Sequence, residues 1–169
     1  MKKFIDDCNL LVKEPINCSK EELELFYNKV VKGGKVELVG LQERIKNCEL
    51  LGFCYYNKEL IGISAIKIPN NSYKLRIIEK SKINRIADEL TFEIGYSFTE
   101  EEHRRKGLSK RIKFNLLEHL KSRKGIVFST TAIGSSQNFL IENGFKNYGK
   151  SYDGTNDKNL KYYELVIPE

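Results

Sequence analysis

Histidine is scarce in this chain and its cysteines do not pair. His103 and His119 are its only histidines and lie far in sequence from Cys8, Cys18, Cys48 and Cys54, no two of which form a Cys-x-x-Cys pair. Zinc sites need closely spaced ligands, so no metal is expected. A cysteine nucleophile is disfavoured as well, because none has a neighbouring histidine to activate it. Reduced, mostly buried thiols are the expectation. No apolar run is long enough to cross a bilayer, and the leading MKKFIDDCNL has acids where a secretory signal has its apolar stretch. That predicts a cytoplasmic protein without a membrane partner. No internal repeat or linker is visible either, so residues 1–169 are expected to form a single domain.

What is present is ordinary globular composition, with 40% apolar and 31% charged residues, which excludes a disordered chain. Lys plus Arg exceeds Asp plus Glu by 29 to 23, a net charge of +6. Such a balance suits nucleic acid and an anionic cofactor equally.

Ser19-Lys20-Glu21-Glu22 reads as a capping box opening a helix that runs to Lys32 and stops at Gly33-Gly34. Leu38, Leu41, Ile45 and Cys48 have the spacing of a second, shorter helix. Apolar stretches from Leu50 to Tyr56 and Leu60 to Ile68 flank Asn57-Lys58-Glu59 and predict a hairpin. Residues 70–90 fit neither period, which predicts a loop with one short helix. Thr91 to Phe98 alternates, with Phe92, Ile94, Tyr96 and Phe98 on one face and Thr91, Glu93, Gly95 and Ser97 on the other. A helix follows from Gly107 to about Arg123, its stripe made by Leu108, Ile112, Leu116, Leu117 and Leu120. Lys110, Arg111 and Lys113 lie off that stripe and read as an exposed face. Ile126-Val127-Phe128 predicts a buried strand, Ser135 to Asn143 a helix ended by Gly144, and Phe145–Tyr152 and Leu160–Ile167 a final pair of strands.

The run Arg104-Arg105-Lys106-Gly107-Leu108-Ser109 therefore stands between a strand and a helix. The first amides of a helix have no internal partner and carry the positive end of its dipole, so such a turn suits a phosphate or pyrophosphate. Here the sequence resembles motif A of the GNAT superfamily of N-acetyltransferases, Arg/Gln-x-x-Gly-x-Gly/Ala, appearing as Arg104-x-x-Gly107-x-Ser109 with serine in the last small position. Leu140-Ile141-Glu142-Asn143-Gly144-Phe145 matches the family's later Gly-Phe signature.

The resemblance implies an α/β fold with a mixed, mostly antiparallel central sheet flanked by helices, its middle strands splayed. It implies acetyl transfer from acetyl-CoA to an amine-bearing acceptor by direct attack in a ternary complex, the protein being a monomer or homodimer. The pyrophosphate would be held by Arg104, Arg105, Lys106, Gly107, Leu108 and Ser109. The pantetheine arm would pair with the strand at Ser97, Phe98 and Thr99. Ser135, Ser136 or Asn138 would take the contacts of an asparagine common near the start of the later helix.

Glu93, eleven residues before Arg104, stands where histone-acetylating members carry their general base; a solvated strand glutamate is the alternative. Leu140 occupies the position where many members have an acidic tyrosine, leaving Tyr96, Ser135, Ser136 and Tyr148 as stand-ins. His103 reads as a solvated loop residue. Asp88, Glu89, Asp153 and Asp157 are candidates to attract a cationic amine. Two further readings remain: an acyl-CoA-binding module without turnover, and a basic nucleic-acid-binding module, the latter disfavoured because the 104–113 cluster lacks interleaved aromatics.

Overall fold

The computed structural model describes Phe4 and residues 6–168. In chain order the elements are β1 (Asn9–Lys13), α1 (Lys20–Gly33), α2 (Leu41–Lys46), β2 (Leu50–Tyr56), β3 (Glu59–Lys67), α3 (Asn71–Ser81), β4 (Leu90–Thr99), α4 (Leu108–Leu120), β5 (Gly125–Thr131), α5 (Gly134–Glu142), β6 (Lys146–Tyr152) and β7 (Leu160–Ile167). The strands follow the order β1-β2-β3-β4-β5-β7-β6. The β1/β2, β2/β3, β5/β7 and β6/β7 pairs are antiparallel, and β4/β5 is parallel. This is the mixed, mostly antiparallel open sheet flanked by helices that the sequence predicts. The β4/β5 ladder runs from Leu90↔Ile126 to Glu93↔Phe128, while β4 continues to Thr99 and β5 to Thr131.

Contacts divide the chain into two compact units. One comprises the N-terminal residues to Lys67 with Ile94–Lys121, and the other Ile68–Glu93 with the residues from Ser122 onward.

In the first unit, Ser19 Oγ accepts the Glu22 amide at 3.1 Å while Glu22 Oε2 accepts the Ser19 amide at 2.8 Å, the reciprocal cap read from the sequence. Phe26 and Val30 of α1 join Leu41 and Ile45 of α2 over Leu51, Phe53, Ile63 and Ala65 of the hairpin. The hairpin turns on Asn57 and Lys58, with φ of 49° and 67°, so Glu59 already belongs to the strand. Because side chains alternate along β2, Gly52 faces away from Leu51 and Phe53. A Cβ at Gly52 would stand 2.8 Å from Ile112 Cγ2, so this glycine lets α4 settle on the strands. Its stripe of Leu108, Ile112, Leu116, Leu117 and Leu120 is buried as predicted.

In the second unit, Ile77 and Ile83 pack with Leu90, Ile126, Phe128 and Tyr162, with Tyr73 and Ile78 at the margin. Arg85 Nη2 holds Glu164 Oε1 at 2.6 Å and Arg85 Nη1 holds Glu89 Oε1 at 3.2 Å, while the Tyr162 hydroxyl donates to Glu164 Oε2 at 2.7 Å. Burial raises the Tyr162 phenol, and hydrogen bonding to Glu164 raises the Arg85 guanidinium.

Two elements differ from expectation. β1 was not anticipated, being five residues long and nowhere fully buried. The helix within 70–90 is longer than the short one expected, because Asn70 accepts the Tyr73 amide at 2.9 Å and caps the eleven residues of α3.

Candidate active site

β4 carries both a carboxylate and the backbone stretch expected to meet a ligand. Its alternation does not persist, because Tyr96 takes a left-handed φ of 52° within the strand. Phe92, Ile94 and Phe98 are buried as predicted, but so is Glu93, at 5% exposure. It is therefore not a solvated strand glutamate. Its position in the ladder opposite Phe128 encloses it, and the Tyr73 hydroxyl donates to its Oε1 at 2.9 Å. Burial pushes the Tyr73 phenol well above its usual range, and the Glu93 charge adds to the effect. Burial raises the Tyr152 phenol of β6 too, with the Thr130 side chain of β5 acting weakly against it. Tyr73, Thr130 and Tyr152 were not singled out from the sequence. They come from three separate elements, and no local spacing announces them.

Within the first unit, Arg104 follows a short 3-10 turn at Glu101–His103, to which its amide bonds through Glu101 O at 3.2 Å. Arg105 and Gly107 then take left-handed φ values of 59° and 80°. Gly107 caps α4, whose first i→i−4 bond runs from the Arg111 amide to Gly107 O at 3.1 Å. The amides of Gly107, Leu108 and Ser109 precede that bond and so have no carbonyl to meet within the helix. In general, alternating right- and left-handed residues at such a turn can curl successive N–H groups into a concave anion site. Leu108 and Phe98 bury their side chains, leaving only backbone for a ligand.

The side chains around the turn are held in place. Arg104 Nε donates to Thr99 O at 3.0 Å. Lys106 Nζ lies 4.4 Å from the centre of the Phe4 ring, and His103 stacks on that ring at 5.3 Å. His103 is thus an aromatic packing residue rather than a solvated one. Lys29 and Lys32 both pair with Glu100; burial opposes that carboxylate's charge, but the two ammonium groups outweigh it and hold its pKa below the usual range. Ser97 Oγ lies 2.9 Å from Ser64 Oγ, and Ser64 Oγ donates to Gly95 O at 3.1 Å. Ser97 and Phe98 also line a cavity of about 180 Å³ with Val30, Gly33, Lys35, Val36 and Tyr96.

Other expectations change. Lys113 is not on an exposed face: it is 9% exposed, and burial, with Lys110 adding to it, pushes its pKa down to about 8. Glu89 is engaged by Arg85 and by the Ile86 amide at 2.9 Å, and Asp153 Oδ1 accepts the Asn159 amide at 2.9 Å. Ser136 and Asn138 sit on α5 in the second unit, the Ser136 amide donating to Ile133 O at 3.0 Å. Leu140 is core. Among the stand-in acids, Tyr96 has Lys67 Nζ 4.8 Å from its ring centre, and Tyr148 is exposed on β6.

No family model matches the sequence, and no curated protein matches it. Solved structures do. An acyl-CoA N-acyltransferase from Pseudomonas aeruginosa superposes with a TM-score of 0.67 at 10% identity, over 94% of this chain and 99% of that one. A GNAT-family acetyltransferase from Staphylococcus aureus Mu50 gives 0.60 at 12%, over 95% and 100%. The yncA protein of Salmonella typhimurium, assigned as an acetyltransferase and solved with acetyl-CoA, gives 0.61 at 12%, over 96% and 95%. At these identities the likeness establishes the fold, which spans nearly the whole chain.

Proposed function

With the GNAT fold as premise, we propose that this protein is an acetyl-CoA-dependent N-acetyltransferase that acetylates a primary amine by direct attack. The observation that carries the reading is the turn at 104–109. Two residues with left-handed φ, Arg105 and Gly107, lead into the start of α4 beside Arg104 and Lys106. This is a fit for a pyrophosphate, supported by charge as well as by geometry. Ser97, Phe98 and Thr99 would offer β4 backbone to the pantetheine arm, and Ser136 and Asn138 further polar contacts.

Glu93 acts as general base. An ammonium acceptor must lose a proton before its nitrogen can attack the thioester carbonyl, and a carboxylate held by Tyr73 is a competent recipient. The hydroxyl bond keeps one carboxylate oxygen oriented.

Saturating acetyl-CoA should raise Tm by several degrees, since a ligand at 100 times its Kd adds about 2.7 kcal/mol to native-state stability. A panel of amines, followed by release of CoA thiol, then identifies the acceptor. Glu93→Gln should lower kcat by about 100-fold or more while leaving the acetyl-CoA-induced Tm shift in place. Unchanged turnover at all pH values would remove Glu93 from the mechanism.

Leu140 is buried at the position where many members of the family carry a proton-donating tyrosine, which favours one second reading: an acyl-CoA-binding module without turnover. A Tm shift with no thiol release from any amine would support it.

A further inference from the structure

Tyr96 takes a left-handed φ of 52° inside β4, a conformation that is strained for a bulky side chain and persists only where its surroundings hold it. Here those surroundings belong to β3, the adjacent strand. Ser64 Oγ donates to Gly95 O at 3.1 Å and lies 2.9 Å from Ser97 Oγ, so one hydroxyl spans the residues on either side of Tyr96. Lys67, three residues along β3 and so on its other face, sets Nζ 4.8 Å from the centre of the Tyr96 ring. A Cβ at Gly95 would stand 2.8 Å from Lys67 Cε, and the glycine leaves room for that side chain. β3 thus braces the irregular residue from both faces of the sheet, and all the residues involved lie in the first unit.

The two hydroxyl bonds fix a direction. A carbonyl oxygen only accepts, so the single Ser64 proton goes to Gly95 O. Both bonds are made at once only if the Ser97 proton goes to Ser64 Oγ. Ser64 is fully buried, where an unmade hydrogen bond is costly, and that favours the arrangement satisfying both. Ser97 is exposed, and with its proton committed inward its oxygen meets a ligand with lone pairs alone. Such a group takes a hydrogen bond from an N–H and has none to give to a thioester carbonyl.

We propose that Ser97 Oγ accepts an amide N–H of the pantetheine arm, and that Ser64 is the positioning residue that makes it an acceptor. This rests on the reading of the protein as an acetyl-CoA enzyme whose cofactor arm lies along Ser97, Phe98 and Thr99. The amides of the arm supply N–H groups of the kind this oxygen can take. The side chain then adds a contact to those offered by the strand backbone.

Isothermal titration with three probes locates the contact: CoA, acetyl-CoA, and 3′-phospho-ADP, which keeps the nucleotide and pyrophosphate but lacks the arm. A hydrogen bond between neutral groups contributes modestly, so Ser97→Ala should weaken CoA and acetyl-CoA alike by about three- to tenfold, and 3′-phospho-ADP by less than about twofold. Ser97→Thr keeps a hydroxyl at an exposed position and should bind CoA within about twofold of wild type. Ser64→Ala should weaken CoA much as Ser97→Ala does. The double variant should be little weaker than the weaker single one, because the two hydroxyls act as a unit. Unchanged CoA affinity in Ser97→Ala overturns the proposal. So does an equal loss for 3′-phospho-ADP, which would mark a general disturbance of β4. A loss confined to acetyl-CoA, placing the contact at the acetyl group, or losses that multiply in the double variant, overturn it as well. If Ser64→Ala does not fold, the contrast between Ser97→Ala and Ser97→Thr decides the matter. If the wild-type protein binds CoA and Ser97→Ala matches it, this contact alone fails. If the wild-type protein binds neither CoA nor acetyl-CoA, the enzyme reading fails and the contact with it.

Discussion

Lys113 shows how a side chain off an apolar stripe can still be enclosed. Its pKa of about 8 lies below the ordinary lysine value of 10.5, so over that interval the unfolded chain binds the proton and the folded chain does not. Stability should therefore rise with pH between about 8 and 10.5, and below pH 8 the full cost of burying the charge is present. Lys113→Met should be more stable than the parent at pH 7 by about 1–3 kcal/mol, with the advantage shrinking toward pH 10.5; thermal melts at the two pH values measure it. The opposite case is Glu164, which is enclosed with Arg85 and Tyr162 as partners. Arg85→Ala should cost about 3 kcal/mol by urea denaturation, since it leaves a buried carboxylate uncompensated. Glu93 stands out in the sequence because its offset from Arg104 is local along one strand and turn, whereas its burial does not. Its partner Tyr73 does not stand out either, since that hydroxyl reaches it from α3, 20 residues earlier in the chain.

Among the elements, α4 depends on a residue with no side chain. Gly52→Ala would press a methyl against Ile112, and overpacking of this kind costs about 1–3 kcal/mol. Ile112→Ala should cost less in the Gly52→Ala background than in the parent, a coupling that a double-mutant cycle in urea will read. The helices and strands with wide apolar faces were legible, α1 from its capping box and α4 from its five-residue stripe. α3 was not. Its inward line is Tyr73, Ile77 and Ser81, of which only Ile77 is a plainly apolar residue in the core, and its cap lies in an Asn70-Asn71 pair that also reads as a turn. β1 escaped for a related reason, with five residues and no fully buried position to set a period.

For the whole molecule, element order and the mostly antiparallel sheet followed from turns, caps and alternation. The parallel β4/β5 pair could not be deduced from periodicity, because two buried strands look alike whichever way they run. The net charge of +6 should assist an anionic ligand over distance. The acetyl-CoA association rate should fall with salt while the Tm shift at saturation changes less, which stopped-flow and melting experiments can compare. The parallel pair also bears on the order of assembly. β2 and β3 meet across a two-residue turn, whereas Glu93 and Phe128 meet about 35 residues apart, with α4 lying between them in sequence and belonging to the other unit. Closing that long loop costs entropy before its contacts repay it, so the hairpin belongs to the folding nucleus and the surroundings of Glu93 form late. Ile63→Val should mainly slow refolding, and Phe128→Leu should mainly hasten unfolding. On the role proposed for Glu93, catalytic competence should lag behind compaction during refolding.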